Sequence, residues 1–215
     1  MNEVANNNKR IAKNTLFMYI RLMLVLCINL FTVRIVLQAL GEVDYGLNNV
    51  VGGVVSMFSF ISTTLAGASM RFFSFEIGKK DQEGLKKYFA VTFWCYVFLC
   101  LIIVILAETI GLWFVANKLV IPADRMTAAM WVYQFSILGS VLSFLTIPFN
   151  SLILAHEKMD FYAYLGIAEV VLKLMVAYIL FVSDGDRLIL YAILMFLSSG
   201  VVSSIYIGYD LVHYS

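Results

Sequence analysis

Charge, proline and histidine are all scarce in this chain of 215 residues. Charged side chains make up 13% of it, and 15 Lys and Arg almost balance 14 Asp and Glu. A nucleic-acid-binding protein would show a basic excess, so no nucleic-acid partner is expected. Two prolines exclude a proline-rich linker, and two histidines exclude most histidine-based metal sites.

Catalytic and cofactor motifs are also missing. The sequence has no glycine-rich phosphate loop, no paired-histidine metalloprotease motif and no cysteine cluster. Cys27, Cys95 and Cys100 lie in apolar stretches, where a cysteine is typically a small hydrophobic residue. We therefore expect neither an enzyme nor a metal or organic cofactor.

Apolar residues, in contrast, make up 62% of the chain, and its mean hydropathy is +0.89. Soluble domains are nearer 45–50% apolar and about 25% charged. One crossing of a bilayer core about 30 Å thick takes roughly 20 apolar residues. The sequence thus predicts an all-α integral membrane bundle of six transmembrane helices with short loops.

The apolar runs place these helices at about 15–40, 46–70, 88–107, 126–155, 161–183 and 188–209. Gly41 is expected to end the first helix, and an extension of the third past Glu108 to Asn117 is left open. Alternating segments typical of a β-barrel are absent. A polar segment, 1–14, precedes the bundle, and 210–215 is expected to be a short cytoplasmic end.

Basic residues in the connections predict the orientation. One side of the predicted bundle holds nine of them and the other side holds three. The nine are Lys9, Arg10, Lys13, Arg71, Lys79, Lys80, Lys86, Lys87 and Lys158, and the three are Lys118, Arg125 and Arg187. The positive-inside rule then places both termini in the cytoplasm. The basic loop at 71–87 either serves topology alone or also attracts anionic lipid.

Two arginines lie inside the first predicted helix, where a charge costs about 2.5–3.5 kcal/mol to insert. Arg34 follows Arg21 by thirteen residues, which is about 20 Å along the axis and roughly 220° around it. The two side chains therefore cannot share one narrow face. Each either extends to its nearer interface or lines a cavity for an anionic head group, since guanidinium matches phosphate bidentately.

The fifth predicted helix carries Glu169 and Lys173 one turn apart. This i,i+4 spacing places them on one face, with the glutamate on the favourable N-terminal side. They either neutralise each other so that the helix can insert, or line a transport cavity and exchange partners or protons during the cycle.

Polar and helix-breaking residues mark two further helices. Pro148 and Asn150 lie late in the fourth, where a proline gives either a static kink or a hinge for alternating access. The second helix is rich in small and polar residues that promote helix packing. Asn48 and Asn49 are its candidates for facing a hydrated cavity.

Two stretches of the sequence resemble bacterial polysaccharide flippases. They are GEVDYGLNNVVGGVVSMFSFISTTLAGASMRFFSFEIGKKD, at 41–81, and IPFNSLILAHEKMDFYAYLGIAEVVLKL, at 147–174. The first resembles the second helix of that family with its flanking loops, and the second resembles the junction of helices four and five. The resemblance covers roughly residues 10 to 210. The family belongs to the multidrug/oligosaccharidyl-lipid/polysaccharide exporter superfamily, whose members are similar in architecture to MATE transporters.

The resemblance implies a flippase of the bacterial inner membrane that translocates an undecaprenyl-diphosphate-linked oligosaccharide for polysaccharide or lipopolysaccharide biosynthesis. It implies a cationic cavity between two helix lobes, with Arg21, Arg34 and Lys173 at the matching positions and with coupling to H⁺ or Na⁺ left open. Such transporters have 12 to 14 helices, so the chain is expected to be a truncated N-terminal lobe. Its partners would be the lipid bilayer, the lipid-linked oligosaccharide, and a missing C-terminal lobe or a second copy.

Two other functions remain open at this stage. A cation-coupled multidrug exporter of MATE type would favour acidic cavity residues, whereas the predicted helices hold more basic ones. A structural membrane protein without transport would have charges that only pair or extend to the interface, and no continuous polar cavity.

Overall fold

The computed structural model describes the backbone of residues 2–214 and the side chains of 11–58 and 61–213. Throughout this part of the chain the regular structure is helical. The helices are α1 (Asn2–Ser56), α2 (Ser59–Lys79), α3 (Gln82–Leu106), α4 (Leu112–Asn117), α5 (Met126–Ala155), α6 (Met159–Val182) and α7 (Arg187–Tyr214). A π-helical turn, Ala107–Gly111, joins α3 to α4, and a short 3₁₀ turn, Ala123–Arg125, precedes α5.

Five helical stretches of the described residues are long and apolar enough to cross a membrane. They are Ile11–Ser56, Gln82–Asn117, Ala123–Ala155, Met159–Val182 and Arg187–His213. The described part of the chain is therefore helical, and its long apolar helices are compatible with a multi-pass membrane protein. The predicted fourth helix has the bounds of α5, and the predicted fifth and sixth agree with the starts of α6 and α7 to within two residues.

The second predicted span is divided in the structure, and the count of six crossing helices stays a prediction. Residues 46–56 of that span belong to α1, and the rest lies in α2, which is not among the five stretches. Arg71, Glu76 and Lys79, together with many serines, threonines and glycines, keep the hydropathy of α2 low. The two segments are separated by a turn at Met57 and Phe58, so the span is a broken helix.

Two further boundaries differ from those predicted. The backbone is already helical from Asn2, within the polar N-terminal segment, and α7 continues to Tyr214 through most of the expected end segment. Gly41 does interrupt the first helix, with φ 80° and ψ 170° inside α1. Positive φ carries no steric cost for glycine, so the chain turns here from one span towards the next.

Helix α5 is central to the bundle and packs against α1, α2, α3 and α7, while α6 packs chiefly against α1. Thirteen of its described side chains are buried, so this apolar helix is covered by protein on most of its surface. Pro148 is fully buried, and α5 continues through it to Ala155. Its role as a hinge remains a prediction.

The π-helical turn is fitted to one residue of α5. Tyr133 is fully buried, and its hydroxyl donates to the carbonyl oxygen of Ala107 at 2.7 Å. Gly111 lies against the same hydroxyl, in a position where a β-carbon would collide with it. The wider turn and the missing side chain together make room for the tyrosine.

Three connections meet at one end of the bundle, which we call the clamp end. Arg125 pairs with both carboxylate oxygens of Asp44, after the Gly41 kink, and its Nη1 lies 3.1 Å from Oδ2 of Asp186. Asp186 also caps α7, because its Oδ1 accepts from the backbone N–H of Leu188. Arg187 donates to the carbonyl oxygen of Ala39 at 3.0 Å. The α2–α3 and α5–α6 connections lie at the opposite end, called the basic end after Lys79, Lys80, Lys86, Lys87 and Lys158.

Replacing Arg125 with alanine is expected to lower the free energy of unfolding by about 1–3 kcal/mol, because two partly buried carboxylates lose their shared cation. Thermal unfolding in detergent measures the loss. Lys118→Ala is the matched control, since Lys118 is exposed near the same end and contacts the Trp113 ring. An equal loss in both variants would contradict the clamp.

Candidate functional site

A polar cavity of about 210 Å³ lies between α1, α5, α6 and α7. Its wall includes Arg21, Glu169 and Lys173, so we call it the charged cavity. Asn150, Tyr162 and Tyr206 also line it, together with hydroxyl-bearing residues of α5 and α7. Sequence reasoning singled out four of these residues on three different helices, and the fold brings them to one place.

Arg21 is held from two sides by α6. Its guanidinium carbon lies 4.3 Å from the centroid of the Tyr162 ring, a cation–π distance. Gly166, one turn further along α6, lies directly under the guanidinium, where a β-carbon would collide with Nε and would lie 2.8 Å from Cζ. Nε itself is buried and has no hydrogen-bond partner among the described residues. The side chain is thus fixed in the wall with donor capacity unused.

Glu169 and Lys173 form an ion pair within the same wall. Lys173 Nζ lies 2.6 Å from Glu169 Oε1, and both side chains are about one-third exposed. Counting Arg21 and Lys173 against Glu169 leaves the cavity with one net positive charge. Because the pair neutralises itself, that charge resides on Arg21.

Asn150 adds a second unused polar atom. Its Oδ1 is buried, and no hydrogen-bond donor reaches it from the part of the chain that the structure describes. It lies two residues after Pro148 on α5, so the proline and the amide occupy successive parts of the same helical turn.

A second cavity, of about 320 Å³, adjoins the first and is called the serine cavity. Asn48, Ser62, Ser136, Ser140 and Tyr191 line it. Ser143 and Ser199 line both cavities, so the two form one polar cleft along the bundle. Asn48 therefore lines a cavity, and the hydration of that cavity stays a prediction.

Two of the predicted residues lie elsewhere. Arg34 is exposed and lines neither cavity, as its rotation from Arg21 requires. Asn49 is exposed, and its amide donates to the carbonyl oxygen of Tyr45 in its own helix. The structure does not bring either residue to the cleft.

Three hydroxyl groups of the cleft, all on α5, donate their protons to the backbone of that helix. Ser136 donates to Val132, Ser143 to Gly139 and Thr146 to Leu142, each at 2.7–3.0 Å and to the carbonyl oxygen one turn earlier. A hydroxyl has one proton to donate and two lone pairs. These groups therefore present acceptors to the cleft, and its strong donors are the guanidinium of Arg21 and the ammonium of Lys173.

Sequence reasoning missed the aromatic and hydroxyl residues of the cleft. Tyr162 and Tyr206 resemble ordinary bundle residues in sequence. The serines carried a usable signal, because Ser136, Ser140 and Ser143 recur at the three- and four-residue spacing of one helix face.

No group of three or more His, Cys, Asp or Glu side chains is placed to hold a metal ion within the described residues.

Gly166→Ala tests how Arg21 is seated. In an open helical position, alanine stabilises relative to glycine by about 0.5–1 kcal/mol. Gly139 is such a position, because a β-carbon added there would meet no atom within 4 Å. We expect Gly139→Ala to raise the unfolding temperature and Gly166→Ala to lower it or leave it unchanged, because the new methyl group displaces the guanidinium.

The double variant Arg21→Ala/Gly166→Ala provides the decisive comparison. If the guanidinium causes the clash, the effects of the two substitutions will be non-additive and the alanine will stabilise once the arginine is gone. Additive effects would contradict the described contact.

Comparison of the chain with protein-family models, with curated proteins and with solved structures found no significant match.

Proposed function

We propose that this protein is the cavity-forming lobe of a flippase that moves a lipid-diphosphate-linked oligosaccharide, carried on undecaprenyl, across the bacterial inner membrane. The observation that carries the proposal is the position of Arg21. An intramembrane guanidinium lies in the wall of a polar cavity, with an unpaired Nε and no acidic partner of its own among the residues described.

The charge of the cavity suits an anionic group. A guanidinium at membrane depth is costly unless it faces a cavity or a partner. Tyr162 covers one face of the group and Nε is buried beside Gly166, which leaves the two Nη groups for a ligand. A diphosphate supplies oxygens for bidentate pairing with Arg21. Lys173 is a second donor in the same wall, once it exchanges Glu169 for phosphate.

The acceptor-rich part of the cleft suits the glycan. Sugar hydroxyls are donors as well as acceptors, and the oxygens of Ser136, Ser143 and Thr146 offer lone pairs along α5. The serine cavity adjoins the charged cavity, so a diphosphate at Arg21 would have its glycan next to these hydroxyls. The lipid tail stays in the bilayer.

Transport in this proposal requires a partner for the open cleft. A second lobe, or a second copy of the chain, would face the cleft, and rocking of the two bodies would alternate access to it. The proposal leaves the coupling ion open between H⁺ and Na⁺. Glu169 is the candidate residue for coupling, because a proton or Na⁺ on its carboxylate would release it from Lys173.

Binding of undecaprenyl diphosphate to the purified chain in nanodiscs, measured by native mass spectrometry, tests the charge argument. Arg21→Gln is expected to weaken binding about tenfold or more, because a charge-assisted bidentate pair is lost. Arg34→Gln is the matched control, as it removes an exposed arginine of the same helix from outside the cleft.

Lys173→Gln completes the set and is expected to weaken binding less, since Lys173 has to give up its ion pair with Glu169 before it can bind phosphate. If Arg21→Gln and Lys173→Gln both bound the lipid as the unaltered chain does, the charge-based proposal would be wrong. Flipping of a fluorescent lipid-linked oligosaccharide in proteoliposomes then tests transport itself.

A cation-coupled multidrug exporter is the second candidate, and Glu169 is the observation in its favour. It is the carboxylate of the charged cavity, and protonation would release it from Lys173. An exporter of this kind would lose drug resistance in Glu169→Gln and keep it in Arg21→Gln. If the chain is part of a flippase, Arg21→Gln will weaken the binding of undecaprenyl diphosphate more than Glu169→Gln does.

A further inference from the structure

A third cavity, of about 200 Å³, lies between α3, α5 and α7 at the basic end and is separate from the polar cleft. Its floor is formed by buried side chains, namely Leu85, Phe149, Leu152 and Asp210. Gln82, Lys86 and Leu211 are exposed and form its mouth. We call it the Asp210 pocket.

Asp210 is the unusual member of this floor. The residue is 4% exposed, and both of its carboxylate oxygens are buried without a hydrogen-bond partner in the described part of the chain. A buried carboxylate without a partner is strongly destabilising unless a cation or a proton neutralises it. Asp210 also lines the apolar cavity, so a cationic ligand held there would lie beside the carboxylate.

The pocket also carries a positive charge at its mouth. Lys86 lines it from α3, without an ion-pair partner of its own among the described residues. A ligand that satisfies both groups has an ammonium for Asp210, an anion for Lys86 and an apolar part for Leu85, Phe89 and Phe149. This combination describes a zwitterionic lipid.

The depth of the pocket agrees with a lipid headgroup. Lys86 is four residues from the start of α3 and Asp210 is four residues from the end of α7, so each lies about 6 Å from a helix end. Headgroups occupy the outer ~5–8 Å on each side of a bilayer whose hydrocarbon core is about 30 Å thick. If these helix ends reach the outer edge of the bilayer, the mouth of the pocket lies at the depth of the phosphate and ammonium groups.

We propose that the Asp210 pocket binds an aminophospholipid with an ethanolamine headgroup. The primary ammonium donates hydrogen bonds to Asp210, the phosphate pairs with Lys86, and the start of an acyl chain covers Phe89 and Leu85. A choline headgroup fits less well, because a quaternary ammonium has no N–H to donate to the two unpaired oxygens. A glycerol headgroup brings no cation.

The test is lipid retention by the full chain. The protein is purified in nanodiscs containing equal parts of phosphatidylethanolamine, phosphatidylcholine and phosphatidylglycerol, and retained lipid is counted by native mass spectrometry after release into detergent. The unaltered chain is expected to retain phosphatidylethanolamine over phosphatidylcholine by about tenfold, the size of one hydrogen-bonded charge pair.

Two variants and one control locate the site. Asp210→Asn has nearly the same shape, folds without a buried charge and is expected to lose the preference. Lys86→Gln is expected to weaken it. Lys87→Gln removes the neighbouring exposed lysine, which does not line the pocket, and is expected to keep it.

Three results would overturn the proposal. These are equal retention of the three lipids by the unaltered chain, an unchanged preference in Asp210→Asn, and displacement of the lipid by soluble phosphoethanolamine at the same concentration. Either of the first two results would mean that Asp210 is neutralised by a proton and not by a lipid headgroup. The third result would mean that the pocket binds a free solute and not a lipid. Arg21→Gln is expected to keep the preference, so failure here is distinguishable from failure of the proposed function.

Discussion

A guanidinium inside a membrane helix has to be bound, hydrated or neutralised, and Arg21 places this requirement on the helices around it. Tyr162 supplies a ring face, and Gly166 supplies the space that any other side chain would fill. Both belong to α6, so the contact joins the first helix to the fifth predicted span across the cleft. The polar cavity follows, because α5 and α7 then approach the charge with serines and threonines.

At the clamp end of the bundle, charged side chains have a different role from that of Arg21. Arg125 pairs with both Asp44 and Asp186 where three connections meet, so each of the two carboxylates has a cationic partner. Charges at the clamp end thus hold helices together, whereas Arg21 in the charged cavity has no ion-pair partner among the described residues and remains available to a ligand. Burial does not distinguish the charges of the clamp end from those of the charged cavity, since side chains of both are partly exposed. What distinguishes Arg125 from Arg21 is that Arg125 has carboxylate partners.

The sequence predicted the crossings better than it predicted their surroundings. Hydropathy located α5, α6 and α7 closely, because a run of 20 or more apolar residues has few alternative structures. The break at Met57 and Phe58 was missed, since no proline marks it and glycine, serine and threonine are common throughout that span.

The candidate site was predicted only in part for a related reason. Helical periodicity showed that Arg21 and Arg34 face different directions, but not which of them faces the bundle. That choice depends on Tyr162 and Gly166 of a distant helix, and one sequence contains no record of their contact. Asp210 was missed for a different reason. It lies near the end of an apolar helix, so in sequence it resembles a solvated terminal charge, but in the structure its side chain is buried.

The π-helical turn at Ala107–Gly111 joins α3 to α4, and it makes the number of residues in this helical segment as important as their identity. The buried residues before and after it, among them Cys100, Ile103, Ala107, Gly111 and Val115, form one continuous stripe. Each residue of an α-helix advances the face by about 100°. Deleting a single residue within the turn would restore an α-helix while rotating Gly111 and Val115 out of register with Tyr133. Among related sequences, this segment should therefore tolerate substitution more readily than any change in its number of residues.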